Sequence, residues 1–244
     1  MLNVYATDWC PHCKAAIAFL KKHWMLYTLI FVTGVGITVT GVVFKAKPIQ
    51  ILPLYNSLII MALSARANRY SLLYGGANAV LYGFVNYSFG LNGQALYCVL
   101  FSFPIQMATF ALYTRRKYGS STLFRKMSWG YRGLTALGFA VCWGGTIVLL
   151  TLLGGDYVLL DTTITLFGIL ITFLTMFAFI EAPVLNILNC VISVSQYVIM
   201  MKDGYFDRST YLIYSVYSLI CVVIGVKRTL ALYREQQAIK AAEE

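Results

Sequence analysis

The chain has 244 residues, of which 59% are hydrophobic and only 11% are charged. Soluble domains carry about 25% charged residues, so this composition excludes a soluble domain of useful size and is typical of an integral membrane protein. The net charge of +10 does not indicate nucleic-acid binding, because the basic residues form short clusters that flank apolar segments and so indicate membrane topology.

The N-terminal segment, residues 1–23, carries a Cys-x-x-Cys motif formed by Cys10 and Cys13. With Val4–Trp9 before it and Lys14–Lys21 after it, the motif resembles the first strand, redox turn and first helix of glutaredoxin. The segment is too short for the rest of that fold, so redox regulation and a vestigial helix that runs into the membrane are both left open. A zinc ion needs four ligands, which the segment supplies only by using both of its histidines, so no metal site is predicted.

Apolar stretches of about 20 residues, the length that a bilayer core of about 30 Å requires, recur along the rest of the chain. Extending each stretch to the charges or turn residues that bound it predicts an all-α, polytopic fold with about eight transmembrane helices and a charged tail. Asp161 is predicted to cap the sixth span, and Pro183 suits the first turn of the seventh. The predicted spans are Trp24–Phe44, Pro48–Ala65, Ser71–Phe89, Gln94–Tyr113, Leu134–Leu153, Leu159–Phe179, Pro183–Met201 and Ser209–Val226, with the tail at 229–244.

An even number of spans places both chain termini on one side of the membrane. All of the 19 Lys and Arg residues except Lys45, Lys47, Lys202 and Arg208 then fall on that side or next to it. Positive charge marks the cytoplasmic side, so we expect a multi-pass protein of the cell (inner) membrane with cytoplasmic N- and C-termini.

A weak internal repeat is visible at an offset of 111 residues, which lays Asn78 on Asn189 and Gly93 on Gly204. It predicts three helices, one linker helix and three more, so that both triplets have the same orientation. In parallel-repeat transporters the solute site lies between the repeats near the middle of the membrane. Within a transporter domain at 24–228, the predicted repeats are about 48–117 and 159–228, with the linker helix at 134–153.

Several short motifs between about Leu54 and Arg228 stand out, namely Asn68-Arg69-Tyr70, Asn78-Ala-Val-Leu-Tyr-Gly83, Pro104-Ile105-Gln106, Asn189-Cys-Val-Ile-Ser193 and Lys202-Asp-Gly204-Tyr205. Together they resemble the PnuC family of nicotinamide riboside transporters. The resemblance implies a 3+1+3 bundle related to the sugar-transporting SWEET proteins, here preceded by one extra helix. It also implies a uniporter for a nucleoside-like vitamin that a cytosolic kinase traps by phosphorylation.

One family feature is replaced in this chain. The PnuC family has a Trp-x-x-Trp pair seven and four residues before the Asn that corresponds to Asn189, and these positions are Ala182 and Leu185 here. In the family those tryptophans stack on the nicotinamide ring. The resemblance makes nicotinamide riboside the first expectation, while the replacement of the tryptophan pair leaves open thiamine, riboflavin and deoxynucleosides, which relatives are thought to carry.

Amide, hydroxyl and ring side chains recur at helical spacing within the spans. Asn186, Asn189, Ser193 and Gln196 fall within about 80° of one another on a helix with 100° per residue. Polar groups in hydrocarbon need a partner or a cavity, so these stripes predict either a solute site or hydrogen bonds between helices. A solute site of this kind suits a neutral, hydroxylated, ring-bearing molecule. The predicted site residues are Asn78, Tyr82, Gln106, Phe110, Asn186, Asn189, Ser193, Gln196, Tyr214 and Tyr217.

The sequence contains no P-loop for ATP hydrolysis, and its acidic residues are expected at span ends, in loops or outside the membrane. Facilitated diffusion by alternating access is therefore predicted, with no enzymatic activity and no cofactor. The expected partners are a small solute and the lipid bilayer, a homo-oligomer is left open, and no nucleic acid is expected. A competing hypothesis is a membrane thiol-disulfide oxidoreductase that uses Cys10 and Cys13, although no other cysteine falls in a loop on the opposite side.

Overall fold

The computed structural model of the chain describes residues 11–118, 121–152, 154 and 157–243, and nearly all of them are helical. The helices are α1 (Pro11–Val43), α2 (Pro48–Ala65), α3 (Tyr70–Ser88), α4 (Asn92–Leu96), a π-helix (Tyr97–Ser102), α5 (Phe103–Arg115), α6 (Trp129–Leu152), α7 (Val158–Met176), α8 (Glu181–Lys202), a 3₁₀ turn (Phe206–Arg208) and α9 (Ser209–Glu243). Two short strands, β1 (Lys117–Tyr118) and β2 (Ser121–Thr122), pair antiparallel between α5 and α6.

The polytopic helical fold is confirmed, and the described residues contain eight helices of membrane-spanning length when α4, the π-helix and α5 are counted as one continuous helix. Within the described ranges, seven helical segments are both long enough and apolar enough to cross a bilayer. α3 is long enough, with 19 residues, but it is more polar because it carries Asn78 and Asn86 in its buried side. Its polarity follows from its position beside the cavity described below.

The fourth span widens into π geometry at Tyr97–Ser102 and returns to α geometry at Phe103. Pro104 explains this change, because it has no N–H to donate to the preceding turn and its ring crowds the carbonyl four residues earlier. π segments occur frequently at functional sites. Here the segment contributes Tyr97, Cys98 and Ser102 to the wall of the central cavity.

Three helices extend well beyond their predicted bounds, and the first of them, α1, begins at Pro11 rather than Trp24. α6 begins at Trp129 rather than Leu134, and α9 continues to Glu243 rather than ending at Val226. Residues beyond Val226 therefore continue the last helix, and the segment predicted as a separate tail is its end.

Gln236 holds the end of α9 against the hairpin formed by β1 and β2. Its side-chain oxygen accepts the N–H of Phe124 at 2.9 Å, and its side-chain nitrogen donates to the carbonyl of Thr122 at 2.9 Å. The side chain of Gln236 is only 9% exposed. Both polar ends of one amide are thus used to fix the hairpin to the helix.

Contacts between loops sort the helix ends onto two faces of the bundle. On the terminal face, which we define by residues 66–69, 116–128, 177–180 and the end of α9, Arg125 exchanges backbone hydrogen bonds with Ala178 and Ile180 at 2.9 Å. On the far face, defined by residues 44–47, 89–91 and 203–208, the ring of Phe44 stacks on that of Phe206 at 6.1 Å.

Tyr157 also belongs to the far face, where its hydroxyl donates to Asp203 at 2.7 Å. Burial, and next the hydrogen bond to Asp203, raises the pKa of Tyr157 to about 12. The phenol therefore remains a hydrogen-bond donor at physiological pH.

The helices pack as two groups joined along α2 and α9, with α1 against both of these helices and α6 at the edge beside α7. The main apolar core lies between α1, α2 and α9 and includes Leu54, Leu58 and Tyr217. At the offset of 111 residues, α2 and α3 would restart at 159 and 181, and the observed starts of α7 and α8 are Val158 and Glu181. The equivalence of the two triplets remains a prediction.

Asp161 does not have the predicted role. α7 begins at Val158, so Asp161 lies inside its first turn, and the carboxylate is fully buried rather than placed at a solvated helix end. It instead accepts the backbone N–H groups of Gly93 and Gln94, at 2.9 and 3.1 Å, and so caps the first turn of α4. A helix start offers N–H groups without intrahelical partners, which makes it a favourable site for a buried carboxylate.

Candidate functional site

A cavity of about 310 Å³ lies between the two groups of helices. We call it the central cavity. Its polar wall residues come from six helical elements, namely α2, α3, the π-helix, α5, α7 and α8, and no Lys, Arg, Asp or Glu belongs to its described wall. The polar and aromatic residues of the wall are Ser57, Ser64, Ser71, Asn78, Tyr82, Tyr97, Cys98, Ser102, Gln106, Thr109, Thr172, Thr175, Asn186 and Asn189.

Three amides in the wall have hydrogen-bonding groups to spare. The side-chain oxygen of Asn189 is buried and has no hydrogen-bond partner among the described residues. The side chain of Asn186, one turn earlier on α8, forms no hydrogen bond to any described residue. Gln106 donates one N–H to the hydroxyl of Ser102 at 2.6 Å, and its side-chain oxygen accepts no hydrogen bond from a described residue. An amide offers donors and acceptors together, so this group can pair with hydroxyls or with a carboxamide.

Asn78 lies in the same wall but is occupied by the bundle itself. Its nitrogen donates to the carbonyl of Pro53 at 2.9 Å and to the hydroxyl of Ser57 at 2.8 Å. Its oxygen accepts a hydrogen bond from Asn56 at 3.3 Å. Because both N–H groups are used, Asn78 can only accept a further hydrogen bond, and its main effect is to hold α3 against α2.

Two tyrosine rings contribute aromatic surface to the cavity. The hydroxyl of Tyr82 accepts a hydrogen bond from Ser57 at 3.1 Å. The hydroxyl of Tyr97 lies 2.8 Å from that of Thr172, whose own proton is donated to the carbonyl of Gly168. Tyr97 is therefore the donor in this pair, and its ring orientation is fixed on α7.

Glycines allow these side chains to approach the helices closely. A Cβ at Gly168 would lie 2.8 Å from the ring of Tyr97, and one at Gly75 would lie 2.5 Å from the side-chain oxygen of Gln106. Contacts under about 3.0 Å are not tolerated by real Cβ atoms. The position of the Tyr97 ring thus depends on glycine at 168, whereas the flexible end of Gln106 could move away from a methyl group at 75.

Of the predicted site residues, the central cavity brings together Asn78, Tyr82, Gln106, Asn186 and Asn189. The others lie outside its wall. Their stripes continue along the helices beyond the cavity, where the same side chains pack or bond within the protein.

Each of these outlying residues has a local partner. Phe110 packs against the ring of Tyr70 at 5.8 Å, and Ser193 donates to the carbonyl of Asn189 in its own helix. Tyr214 lies behind Tyr82, with ring centroids 6.4 Å apart.

The remaining two outlying residues are completely enclosed. Gln196 is fully buried and accepts a hydrogen bond from Gln94 at 3.1 Å, so it joins α8 to α4 on the far-face side of the central cavity. Tyr217 is 1% exposed and donates to the carbonyl of Leu58 at 2.7 Å, which joins α9 to α2.

Sequence reasoning did not select Ser57, Tyr97, Cys98, Ser102 and Thr172, which also line the cavity. Single hydroxyls and a thiol in apolar spans are usually packing residues, so they do not stand out as site residues from sequence alone. The signal that could have found three of them is Pro104, because a proline inside a membrane span indicates local departure from α geometry.

A layer of packed rings around Arg208 lies between the central cavity and the far face. Arg208 is 7% exposed and lies between the rings of Phe89 and Tyr205, with its guanidinium carbon 4.6 and 4.2 Å from the two centroids. The ring of Phe89 packs edge-on against Tyr211 at 5.1 Å, and Tyr197 packs against Tyr211 at 5.6 Å. Guanidinium groups stack favourably on aromatic faces, and the favourable energy is larger where water is excluded.

A second cavity continues from the central one to the terminal face. We call it the mouth cavity, and its volume is about 130 Å³. The two cavities share the wall residues Ser64, Ser71, Leu72, Ile171, Thr175 and Asn186. The central cavity is therefore approached from the terminal face and closed toward the far face.

The positions of the family tryptophan pair do not reach the central cavity. Ala182 is 2% exposed and packs with Met127 and Leu174, and Leu185 packs against the same cluster. Tyr82 and Tyr97 are thus the aromatic faces available to a solute here.

The predicted redox pair falls on the N-terminal segment. Cys10 lies outside the described residues, and Cys13 belongs to the N-terminal part of α1. The redox hypothesis stays a prediction.

The sequence profile of a family described as nicotinamide mononucleotide transporters matches residues 47–227 of the chain. The chain belongs to this family. The resemblance to PnuC is confirmed by structure as well, since the crystal structure of the vitamin B3 transporter PnuC superposes with a TM-score of 0.74 at 16% sequence identity. That match covers 86% of this chain and 92% of the PnuC chain, and at such low identity it establishes the shared fold. A comparison with curated protein sequences gave no match.

Membership in this family places the central cavity in a transporter fold. The family match begins at residue 47, directly before α2, so α1 lies outside the matched region.

Proposed function

We propose that the protein is a uniporter for a nucleoside-like vitamin, with nicotinamide riboside as the first candidate solute. The observation that carries this proposal is the central cavity, where spare amide groups of Gln106, Asn186 and Asn189 lie with two tyrosine rings in a wall without charged side chains in its described part. Gln106 comes from the first predicted triplet and the two asparagines from the second. Amides that pair with ribose hydroxyls or a carboxamide, combined with rings that pack on a flat heterocycle, fit such a solute.

The electric charge of a candidate solute decides whether the wall of the central cavity can bind it. Nicotinamide riboside is not strictly neutral, because its pyridinium ring carries a delocalised positive charge. The faces of Tyr82 and Tyr97 are suitable partners for such a ring, since aromatic faces attract cations. A phosphate group would find no cationic partner within the described wall of the central cavity. Thiamine, riboflavin and deoxynucleosides are the alternative solutes.

Facilitated diffusion is the mechanism that fits the charges in the bundle. Asp161 is the one carboxylate in the described spans that is fully buried, and two backbone N–H groups already use its oxygens. It therefore serves as a helix cap, and no proton or cation site is needed to explain its burial. Flux would follow the gradient, and a cytosolic kinase would trap the solute by adding a phosphate, for which the described wall of the central cavity offers no cationic partner.

The orientation in the membrane follows from the basic clusters. By the positive-inside rule we propose that the terminal face is cytoplasmic. The basic residues at this face or next to it include Arg66, Arg69, Arg115, Arg116 and Lys126. The described conformation would then be open to the cytoplasm.

A ligand screen on the purified protein tests the solute. A ligand that binds only the folded state stabilises it by RT ln(1 + [L]/Kd), or about 2.7 kcal/mol at a concentration of 100 Kd. We expect nicotinamide riboside to raise the thermal unfolding midpoint more than thiamine, riboflavin or deoxynucleosides at equal concentration. A larger shift with one of the others would transfer the assignment to that solute.

A matched pair of variants on α8 tests the site. Asn189→Leu removes a cavity amide, whereas Ser195→Leu adds the same side chain on an exposed position of the same helix. We expect Asn189→Leu to weaken solute binding by at least about tenfold, the effect of one lost hydrogen bond to a buried polar group. Equal solute affinity in the two variants would contradict the proposed site.

A further inference from the structure

The mouth cavity contains a single charged side chain among its described wall residues, that of Arg69, and no carboxylate. Arg69 is half-buried at the start of α3, in the loop that joins α2 to α3. A lone guanidinium in a concave wall creates a positive potential without an internal counter-charge. The mouth cavity therefore has the electrostatic character of an anion site.

Arg69 also has hydrogen-bonding groups to spare. Its Nε and Nη1 atoms are buried and have no partner within the described part of the chain. The guanidinium lies over the ring of the neighbouring Tyr70, with its carbon 5.5 Å from the ring centroid. Arg132 also has a buried Nε without a described partner, but its Nη2 pairs with the carboxylate of Glu181 at 2.5 Å, whereas Arg69 has no such counter-charge in the described cavity wall. Buried N–H groups without partners cost free energy, so the position of Arg69 calls for an acceptor that the described residues do not supply.

Two neutral groups in the same cavity wall as Arg69 could bind such an acceptor together with it. The hydroxyl of Ser121, in a residue that is 3% exposed, and the side-chain amide of Asn186 both line the mouth cavity. Neither forms a side-chain hydrogen bond to another described residue. A guanidinium with hydroxyl and amide donors is a combination that binds phosphate oxygens well.

We propose that the mouth cavity is an anion site in which Arg69 binds a phosphomonoester. Asn186 belongs to both cavities, so a nucleoside 5′-monophosphate can place its base and ribose in the central cavity and its phosphate against Arg69. This extension rests on the proposed function. Its consequence is product inhibition, because the phosphorylated solute formed on the terminal side occupies the open site and competes with the free nucleoside.

Titration of the purified full-length protein in neutral detergent tests the proposal. The probes are nicotinamide riboside, its 5′-monophosphate and inorganic phosphate, and the readout is the dissociation constant. We expect Arg69→Gln to raise the constant for the monophosphate roughly 10- to 100-fold, as for loss of a hydrogen bond to a charged group. Arg69→Lys keeps the charge without the planar fork and should give an intermediate value. Lys126→Gln, which removes one exposed positive charge on the same face, should stay within about twofold of the unmodified protein.

Several results would overturn the anion site. One is equal weakening by Arg69→Gln and Lys126→Gln, which would indicate general attraction to a basic surface. Another is nucleoside binding without any response to the monophosphate or to phosphate. A third is a dependence on Arg69 that appears only as retention of phosphatidylglycerol in nanodiscs, which would assign the position to a lipid headgroup. A response to the phosphates without any response to a nucleoside would instead contradict the proposed function and leave the anion site standing.

Discussion

The carboxylate of Asp161 on α7 accepts the backbone N–H of Gly93 on α4 at 2.9 Å, and this bond ties the two predicted triplets together near the far face. The fit around it is tight, since a Cβ at Gly93 would lie 3.0 Å from both the Asp161 carboxylate and the hydroxyl of Thr165. Next to this cap, Gln94 donates to Gln196 on α8 at 3.1 Å. Helices α4, α7 and α8 therefore meet at one buried polar junction on the far-face side of the central cavity.

The first prediction concerns the charge of this cap. Asp161→Asn keeps the shape but replaces one acceptor oxygen by an N–H₂ group that faces a backbone N–H. We expect the free energy of unfolding to fall by roughly 1–3 kcal/mol, the cost of an unsatisfied buried donor, measured as a lower thermal midpoint in detergent. Asp207→Asn, at a partly exposed far-face position, is the control. Equal midpoints for the two variants would show that the carboxylate is not needed as a cap.

The second prediction concerns the closure of the far face by Arg208. Arg208→Gln removes the stacking on Phe89 and Tyr205, which is worth roughly 0.5–2 kcal/mol and corresponds to a roughly 2- to 30-fold shift in the closed population. Cys98 lines the central cavity and can report on this shift. In a protein with Cys98 as its only cysteine, a membrane-impermeant maleimide added from the far face should label it faster in the variant.

The control for this closure is Lys202→Gln, which removes an exposed positive charge on the same face. Labelling rates that are the same in both variants would mean that Arg208 does not hold the far face closed. Protection of Cys98 by nicotinamide riboside would link the labelling to solute binding.

The spans were predictable because length and apolar composition alone decide whether a helix can cross a bilayer. Asn186 and Asn189 were predictable because two amides three residues apart in an apolar helix point to one side. Gln196 and Tyr217 extend the same kind of pattern, yet they bond to Gln94 and to the carbonyl of Leu58. Periodicity gives the direction of a side chain around its helix, and it does not say where along the bundle the cavity ends.

The role of Asp161 could not be read from the sequence for a related reason. Its partners Gly93 and Gln94 are distant in the chain, and backbone N–H groups carry no residue-specific signal. Likewise, nothing in the sequence indicated that Arg69 lies in a cavity wall while Arg132 pairs with Glu181. Pairings between distant helices depend on tertiary packing, which a single sequence does not encode locally.

The third prediction tests how Tyr97 is positioned. A methyl group at Gly168 would lie 2.8 Å from the Tyr97 ring, so Gly168→Ala must displace the ring or separate the helices, at a cost of roughly 1–3 kcal/mol. We expect weaker solute binding, measured by titration with nicotinamide riboside. Gly144→Ala on α6 meets nothing within 4 Å and should bind solute normally. Normal binding in both variants would show that the ring position does not matter to the solute.

The fourth prediction uses two adjacent glutamines near the end of α9. Gln236 is 9% exposed and makes both hydrogen bonds to the hairpin, whereas Gln237 is exposed. Gln236→Ala leaves the N–H of Phe124 and the carbonyl of Thr122 without this partner, so we expect faster hydrogen exchange in residues 121–125 and a loss of roughly 1–3 kcal/mol of stability. Gln237→Ala should leave the exchange unchanged.

Because Ser121 and Phe124 line the mouth cavity, a loosened hairpin should also weaken binding of a nucleoside 5′-monophosphate more than binding of the nucleoside. Equal exchange rates in the two variants would mean that the hairpin is held by other contacts.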